Sequence, residues 1–81
     1  MNEKEIFDKV VNILTPFVRN QEALSSVSND TDILKDLRVN SSRLVDIILE
    51  FEEKFDIEVQ DEEADKVQTI GAAVDMIKGK L

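Results

Sequence analysis

The sequence predicts an all-α protein, a small four-helix bundle with three longer helices, one short third helix and a long loop between helices one and two. Three observations lead there. Apolar residues recur at intervals of three and four in separate segments, no segment alternates over enough residues to make a strand, and the short polar residues between them are of the kind that cap helices. The 81 residues are expected to form a single domain, 1–81, with one modest core.

In helix one, Ile6, Val10, Ile13 and Phe17, flanked by Phe7, Val11, Leu14 and Val18, draw one wide apolar stripe from about Glu3 to about Arg19. Pro16 lies inside this stripe and has no backbone donor, so the last turn should kink or the regular helix should stop a little before it. A long, mostly polar connection from Asn20 to Asn40 follows, and its scattered aliphatics Leu24, Val27, Ile33, Leu34, Leu37 and Val39 read as ties to the core. Helix two begins at the Asn40-Ser41-Ser42 cluster, whose side chains suit the orphan N–H groups of a first turn. Leu44, Ile48, Phe51 and Phe55 form its apolar stripe, widened by Val45, Ile47 and Leu49. The opposite face carries Arg43 and an acidic strip of Asp46, Glu50 and Glu53, with Asp56 and Glu58 beyond. Asp61-Glu62-Glu63 resembles the acid-rich first turn of a short helix ending near Lys66. Thr69 is placed to cap the last helix, where Ile70, Ala73, Val74, Ile77 and Leu81 repeat before Gly79 loosens the end.

Composition narrows the function classes. With no cysteine and no histidine, the chain lacks disulfides, thiolate nucleophiles, the usual zinc ligands and the commonest general base. No Asp-x-Asp-x-Asp-Gly loop ending in glutamate is present, so no dedicated metal site is expected. The acids all fall on predicted polar faces, where nothing would raise a carboxylate pKa for acid–base work, and an enzyme is the least favoured class. The opening MNEKEIFDKV is charged and no apolar run has the length of a membrane span, so a cytoplasmic protein without membrane insertion is expected. The formal charge is -8, and from Asn40 to Lys66 ten acids face only Arg43, Lys54 and Lys66. That field repels nucleic acid and attracts proteins with basic patches.

Asp36-Leu37, Ser41, the run LVDIILEFEEKFDIEVQDEEADKV and Thr69-Ile70 with the closing AAVDMI resemble the acyl carrier protein family in order and spacing. The resemblance covers about Ile33 to Ile77. It implies a four-helix bundle that is not itself an enzyme, and a 4′-phosphopantetheine arm from coenzyme A attached to the serine that opens helix two, here Ser41. The arm's thiol would hold an acyl intermediate as a thioester, in a chain with no thiol of its own. Independently of the resemblance, a helix N-terminus offers unpaired donors and the positive end of the macrodipole to a permanent anion, although a serine there, taken alone, reads first as a plain cap.

The family pattern is Asp-Ser-Leu, and here Asn40-Ser41-Ser42 is followed by Arg43. A lost aspartate, a lost leucine and a gained cation should each weaken reading by general fatty-acid enzymes. A specialised carrier for fatty-acid, lipid or polyketide-type synthesis is therefore expected, monomeric, and served by a phosphopantetheinyl transferase and by acyl-loading and acyl-processing enzymes with basic patches. Asn40, Ser42, Arg43, Asp46, Glu50, Glu53 and Asp56 are the residues those partners would read. The alternatives are an aminoacyl or peptidyl carrier, and an unmodified helical interaction domain.

Overall fold

The computed structural model describes residues 1–81 and contains four α-helices: α1 (Glu3–Leu14), α2 (Leu44–Phe55), the short α3 (Asp61–Ala64) and α4 (Ile70–Lys80). The expected all-α architecture is thus the one adopted, and no helix is long and apolar enough to cross a membrane.

Helix α1 starts in a capping box, the Asn2 Oδ1 accepting the Glu5 N–H at 2.8 Å while the Glu5 carboxylate accepts the Asn2 N–H at 3.4 Å. Ile6, Val10 and Leu14 are its buried positions. The helix stops at Leu14, short of the Arg19 that the apolar spacing marks but a little before Pro16, as the proline leads one to expect. Pro16 cannot donate to the helical ladder, so the chain tightens into a 3₁₀ turn over Thr15–Phe17 and is extended at Val18.

In α2 the buried residues are Ile47, Ile48, Phe51 and Phe55. The Phe51 and Phe55 rings meet edge to face, with centroids 6.5 Å apart. The wide stripe expected here is narrower in one respect: Val45 and Leu49 are 67% and 56% exposed. The helix ends at Asp56, which takes the left-handed conformation usual for a terminating glycine, with φ 53°. In α4 the Thr69 Oγ1 accepts the Ala72 N–H at 3.0 Å, and Ile70, Ala73, Val74 and Ile77 are buried. Gly79 does not end this helix, which continues to Lys80, and Leu81 lies outside the core.

The sixteen buried residues are all hydrophobic, and Ile33, Leu37 and Val39 of the long connection are among them. This connection has a 3₁₀ segment over Gln21–Ser26 and is then strapped to the start of α4. The Ile33 N–H donates to the Gln68 carbonyl at 2.9 Å, the Ile70 N–H to that of Thr31 at 3.1 Å, and the Gly71 N–H to that of Asn29 at 2.9 Å. The Asp32 carboxylate closes the next turn by accepting the N–H groups of Leu34 and Lys35, and the Asp36 carboxylate returns to the Asp32 N–H at 2.8 Å. A polar loop is thereby held firmly enough to fix where α2 begins.

Candidate functional site

From Leu37 to Asn40 the chain alternates between the core and solvent: Leu37 and Val39 are buried, and Arg38 and Asn40 are exposed. These two anchors place Asn40 at the mouth of α2. Its side-chain oxygen accepts both the Ser42 N–H at 3.0 Å and the Ser42 hydroxyl at 2.9 Å. Ser41–Arg43 form a 3₁₀ turn leading into the helix, and the Leu44 N–H donates to the Ser41 carbonyl. Asn40, not Ser41, is therefore the cap. Of the two neighbouring hydroxyls, that of Ser42 is engaged by Asn40, while that of Ser41 is exposed and makes no hydrogen bond.

Ser41 opens onto a groove between α2 and the α3 region, a cavity of about 380 Å³ lined by Leu44, Val45, Ile48, Leu49, Val59 and Ala64 and edged by Glu52, Asp61 and Asp65. The exposure of Val45 and Leu49 is explained here: α3 is only four residues long and leaves one flank of α2 uncovered. Periodicity alone could not reveal this, because it marks an apolar face without showing whether a neighbour covers it. Glu52 holds the far wall by accepting the Val59 N–H at 3.0 Å.

Asp46, Glu50 and Glu53 lie three and four residues apart along α2, the first two half-buried and the third exposed, with Asp56 and Glu58 exposed beyond the helix. Arg43 stands at the top of this strip, its guanidinium 3.1 Å from the Asp46 carboxylate. Elsewhere, the Glu63 carboxyl is held below the usual glutamate value, first by its hydrogen bond with the Lys80 ammonium at 2.8 Å and then by the Gln60 N–H. No polar or charged side chain is buried anywhere, so no carboxylate sits in the apolar setting that acid–base catalysis requires.

A family model described as a phosphopantetheine attachment site matches residues 17–77. The chain belongs to the acyl carrier protein family. It is 36% identical to the acyl carrier protein of Lactobacillus acidophilus over 78 residues, spanning 96% of this chain and 95% of that one. With the acyl carrier protein of a Picosynechococcus strain the identity is 39% over 80 residues, 99% of this chain and 95% of the relative. A solved structure of the acyl carrier protein from Enterococcus faecalis superposes with a TM-score of 0.82 at 32% identity and covers all of both chains. The protein is accordingly an acyl carrier without catalytic activity of its own, and its prosthetic group is 4′-phosphopantetheine. This chain offers such a group what it needs: an exposed, unbonded hydroxyl at the positive end of α2, beside an apolar groove.

Proposed function

We propose that Ser41 carries the phosphopantetheine arm of this acyl carrier protein, and that the carrier serves a dedicated set of enzymes. The observation that carries the assignment is the contrast between the two hydroxyls. Both serines are exposed, but the Ser42 hydroxyl is committed to Asn40 at 2.9 Å, whereas that of Ser41 makes no hydrogen bond and is free for a transferase to reach. The bound group supplies the thiol on which acyl chains are held as thioesters. The protein's part is to present it. The cap at Asn40 fixes the first turn, the helix dipole favours the phosphodiester, and the groove lined by Val45, Leu49 and Val59 shields an apolar cargo next to the anchor. Incubation with coenzyme A and a phosphopantetheinyl transferase should add the mass of one arm to the wild type and to Ser42→Ala, and none to Ser41→Ala. Modification of Ser41→Ala would refute the assignment.

Partners are read through Asp46, Glu50, Glu53 and Asp56, which present a row of carboxylates to a basic enzyme surface. Asn40, Ser42 and Arg43 set this carrier apart. Arg43 neutralises the top of the row through Asp46, and Asn40 brings no charge to the anchor. Both features lower the attraction to enzymes that expect an acidic motif, which supports service in a specialised branch of fatty-acid, lipid or polyketide-type synthesis. The triple change Asn40→Asp, Ser42→Leu, Arg43→Asp should raise the rate of loading by a housekeeping fatty-acid system. An unchanged rate would remove the claim of specialisation while leaving the anchor intact.

A further inference from the structure

On the flank of α2 opposite the apolar groove, the later turns of α1 and α2 border a second cleft, of about 480 Å³. Ile13, Pro16 and Phe17 form its apolar wall, and Lys9, Lys54 and Glu50 stand around it. Ile6, Val10 and Leu14 take the buried line of α1, which leaves Ile13 and, in the turn that Pro16 imposes, Phe17 only half-covered. Lys54 is the single base of α2, among the acids Asp46, Glu50, Glu52 and Glu53. Neither lysine is engaged in an ion pair, for the three in the structure join Arg43 to Asp46, Lys78 to Glu3 and Lys80 to Glu63. Lys9 is held instead over the Phe55 ring, its ammonium 5.8 Å from the centroid. The cations therefore lie at the Phe55 end of the cleft, while Phe17 lies at the other, toward Arg43. At helical rise the chain advances about 12 Å from Lys9 to Phe17, the reach of an extended chain of roughly eight to ten carbons.

We propose that this cleft binds a free medium-chain carboxylic acid without covalent attachment, its carboxylate between Lys9 and Lys54 and its hydrocarbon chain along Ile13, Pro16 and Phe17. The ligand class follows from the lining. Small-molecule sites join an apolar wall to a few placed polar groups, and here the charged groups left unpaired include two ammoniums at one end. A lysine ammonium is a compact point charge suited to a lone carboxylate, and the apolar wall gains from cover by a hydrocarbon chain. Glu50, one helical turn before Lys54, repels the anion and so keeps it at the lysine end. The site is separate from the Ser41 anchor and lies on the other flank of α2 from the groove, so a free acid would be held while a tethered chain occupies the groove. Its binding would also alter what partners meet. A carboxylate on Lys54 neutralises the only base of α2 and leaves the row of Asp46, Glu50 and Glu53 unbroken, which strengthens its attraction for a basic enzyme surface.

The test titrates octanoate, octanol and acetate at neutral pH into the full chain labelled with ¹³C and ¹⁵N, which needs no arm and so is independent of the Ser41 assignment. Methyl, aromatic and lysine side-chain signals report the cleft through Ile13, Phe17, Lys9 and Lys54, and the groove through Val45 and Leu49. Octanoate should shift the four cleft residues together and saturably, with a Kd in roughly the millimolar range expected for a ligand of about ten heavy atoms on an open site. Acetate, which lacks the chain, should leave Ile13 and Phe17 unmoved. The double variant Lys9→Gln/Lys54→Gln changes two exposed side chains and should weaken octanoate by at least about fourfold while leaving octanol binding unchanged. Absence of saturable shifts at the cleft would overturn the proposal, as would shifts confined to Val45 and Leu49, which would place the free acid in the groove. Equal octanoate binding by the wild type and the double variant would overturn the role of the lysines and with it the ligand class.

Discussion

Gly71→Ala separates the pull of helix propensity from the push of the loop strapped against α4. Gly71 lies in the first turn of α4 with ordinary negative φ, so its own backbone tolerates alanine, and propensity alone would favour the change by up to about 1 kcal/mol. The added methyl would stand 2.8 Å from the Asn29 carbonyl oxygen and 2.9 Å from the Asn29 Cβ. The nearer of these is backbone, and that same oxygen accepts the Gly71 N–H at 2.9 Å, so relief of the clash stretches this bond and strains that between Ile70 and Thr31. Overpacking of this kind costs about 1–3 kcal/mol, and each weakened hydrogen bond about 0.5–1.5 kcal/mol. Clash exceeds propensity, and the expected net loss is about 1–2 kcal/mol, at roughly 4–8 °C of Tm per kcal/mol for a domain of this size. Gly79→Ala is the control: nothing lies within 4 Å of its added methyl, and it should gain up to about 1 kcal/mol. Urea melts measure both variants, and amide exchange at Ile33 and Ile70 reports whether the strap has loosened. The reasoning fails if Gly71→Ala matches or exceeds the wild type while Gly79→Ala gains as expected.

Three further outcomes follow from the same geometry. Asn40→Ala removes the cap of the α2 turn and should cost about 1 kcal/mol in a thermal melt, whereas Ser41→Ala, which loses an exposed and unbonded hydroxyl, should stay within about 0.5 kcal/mol of wild type. Arg38→Gly relieves the left-handed backbone at φ 57° and should raise stability by about 0.5–1 kcal/mol, measured by urea denaturation. For Glu63 the folded carboxyl lies below its ordinary value of 4.5, so its bond to Lys80 supports the fold above that pH and is lost as the pH falls below it. The Tm difference between wild type and Glu63→Gln should accordingly be present at pH 7 and disappear as acidification protonates the folded-state carboxyl.

Most of the bundle is legible in the residues because the longer helices each carry their own apolar stripe and the later ones their own start signal. Thr69 caps as short polar residues do, and Ile33, Leu37 and Val39 are the ties that isolated aliphatics in a polar loop suggest, whereas the Asn2 cap of α1 lies outside the apolar stripe that marks the helix. What is not legible depends on partners distant in the chain. Val45 and Leu49 carry the same apolar signal as Ile48, and only the brevity of α3 decides that they face a groove. The strap between Asn29–Ile33 and Gln68–Gly71 is backbone pairing across nearly forty residues of chain, and no side-chain pattern encodes it. Of the site, the neighbourhood of Ser41 is readable from capping chemistry and from the family resemblance. The contrast between the Ser41 and Ser42 hydroxyls needs the Asn40 geometry.

These placements have a common cause in how rigidly the mouth of α2 is held. Asn40 is approached through Leu37 and Val39, both buried, and through a loop whose backbone is bonded to α4 and to Asn20. An anchor on so fixed a turn would not itself move, so a cargo tethered there would be sorted by the surfaces around it. Those surfaces differ in kind: an apolar groove edged by carboxylates, and the acidic row of α2 leading away. Because the carboxylates at its rim repel anions, the groove would favour an apolar chain over a charged one. An enzyme docked on the α2 row would then find an apolar chain held in the groove beside the anchor. Cargo chemistry and partner geometry would thereby be coupled without any conformational change in the bundle.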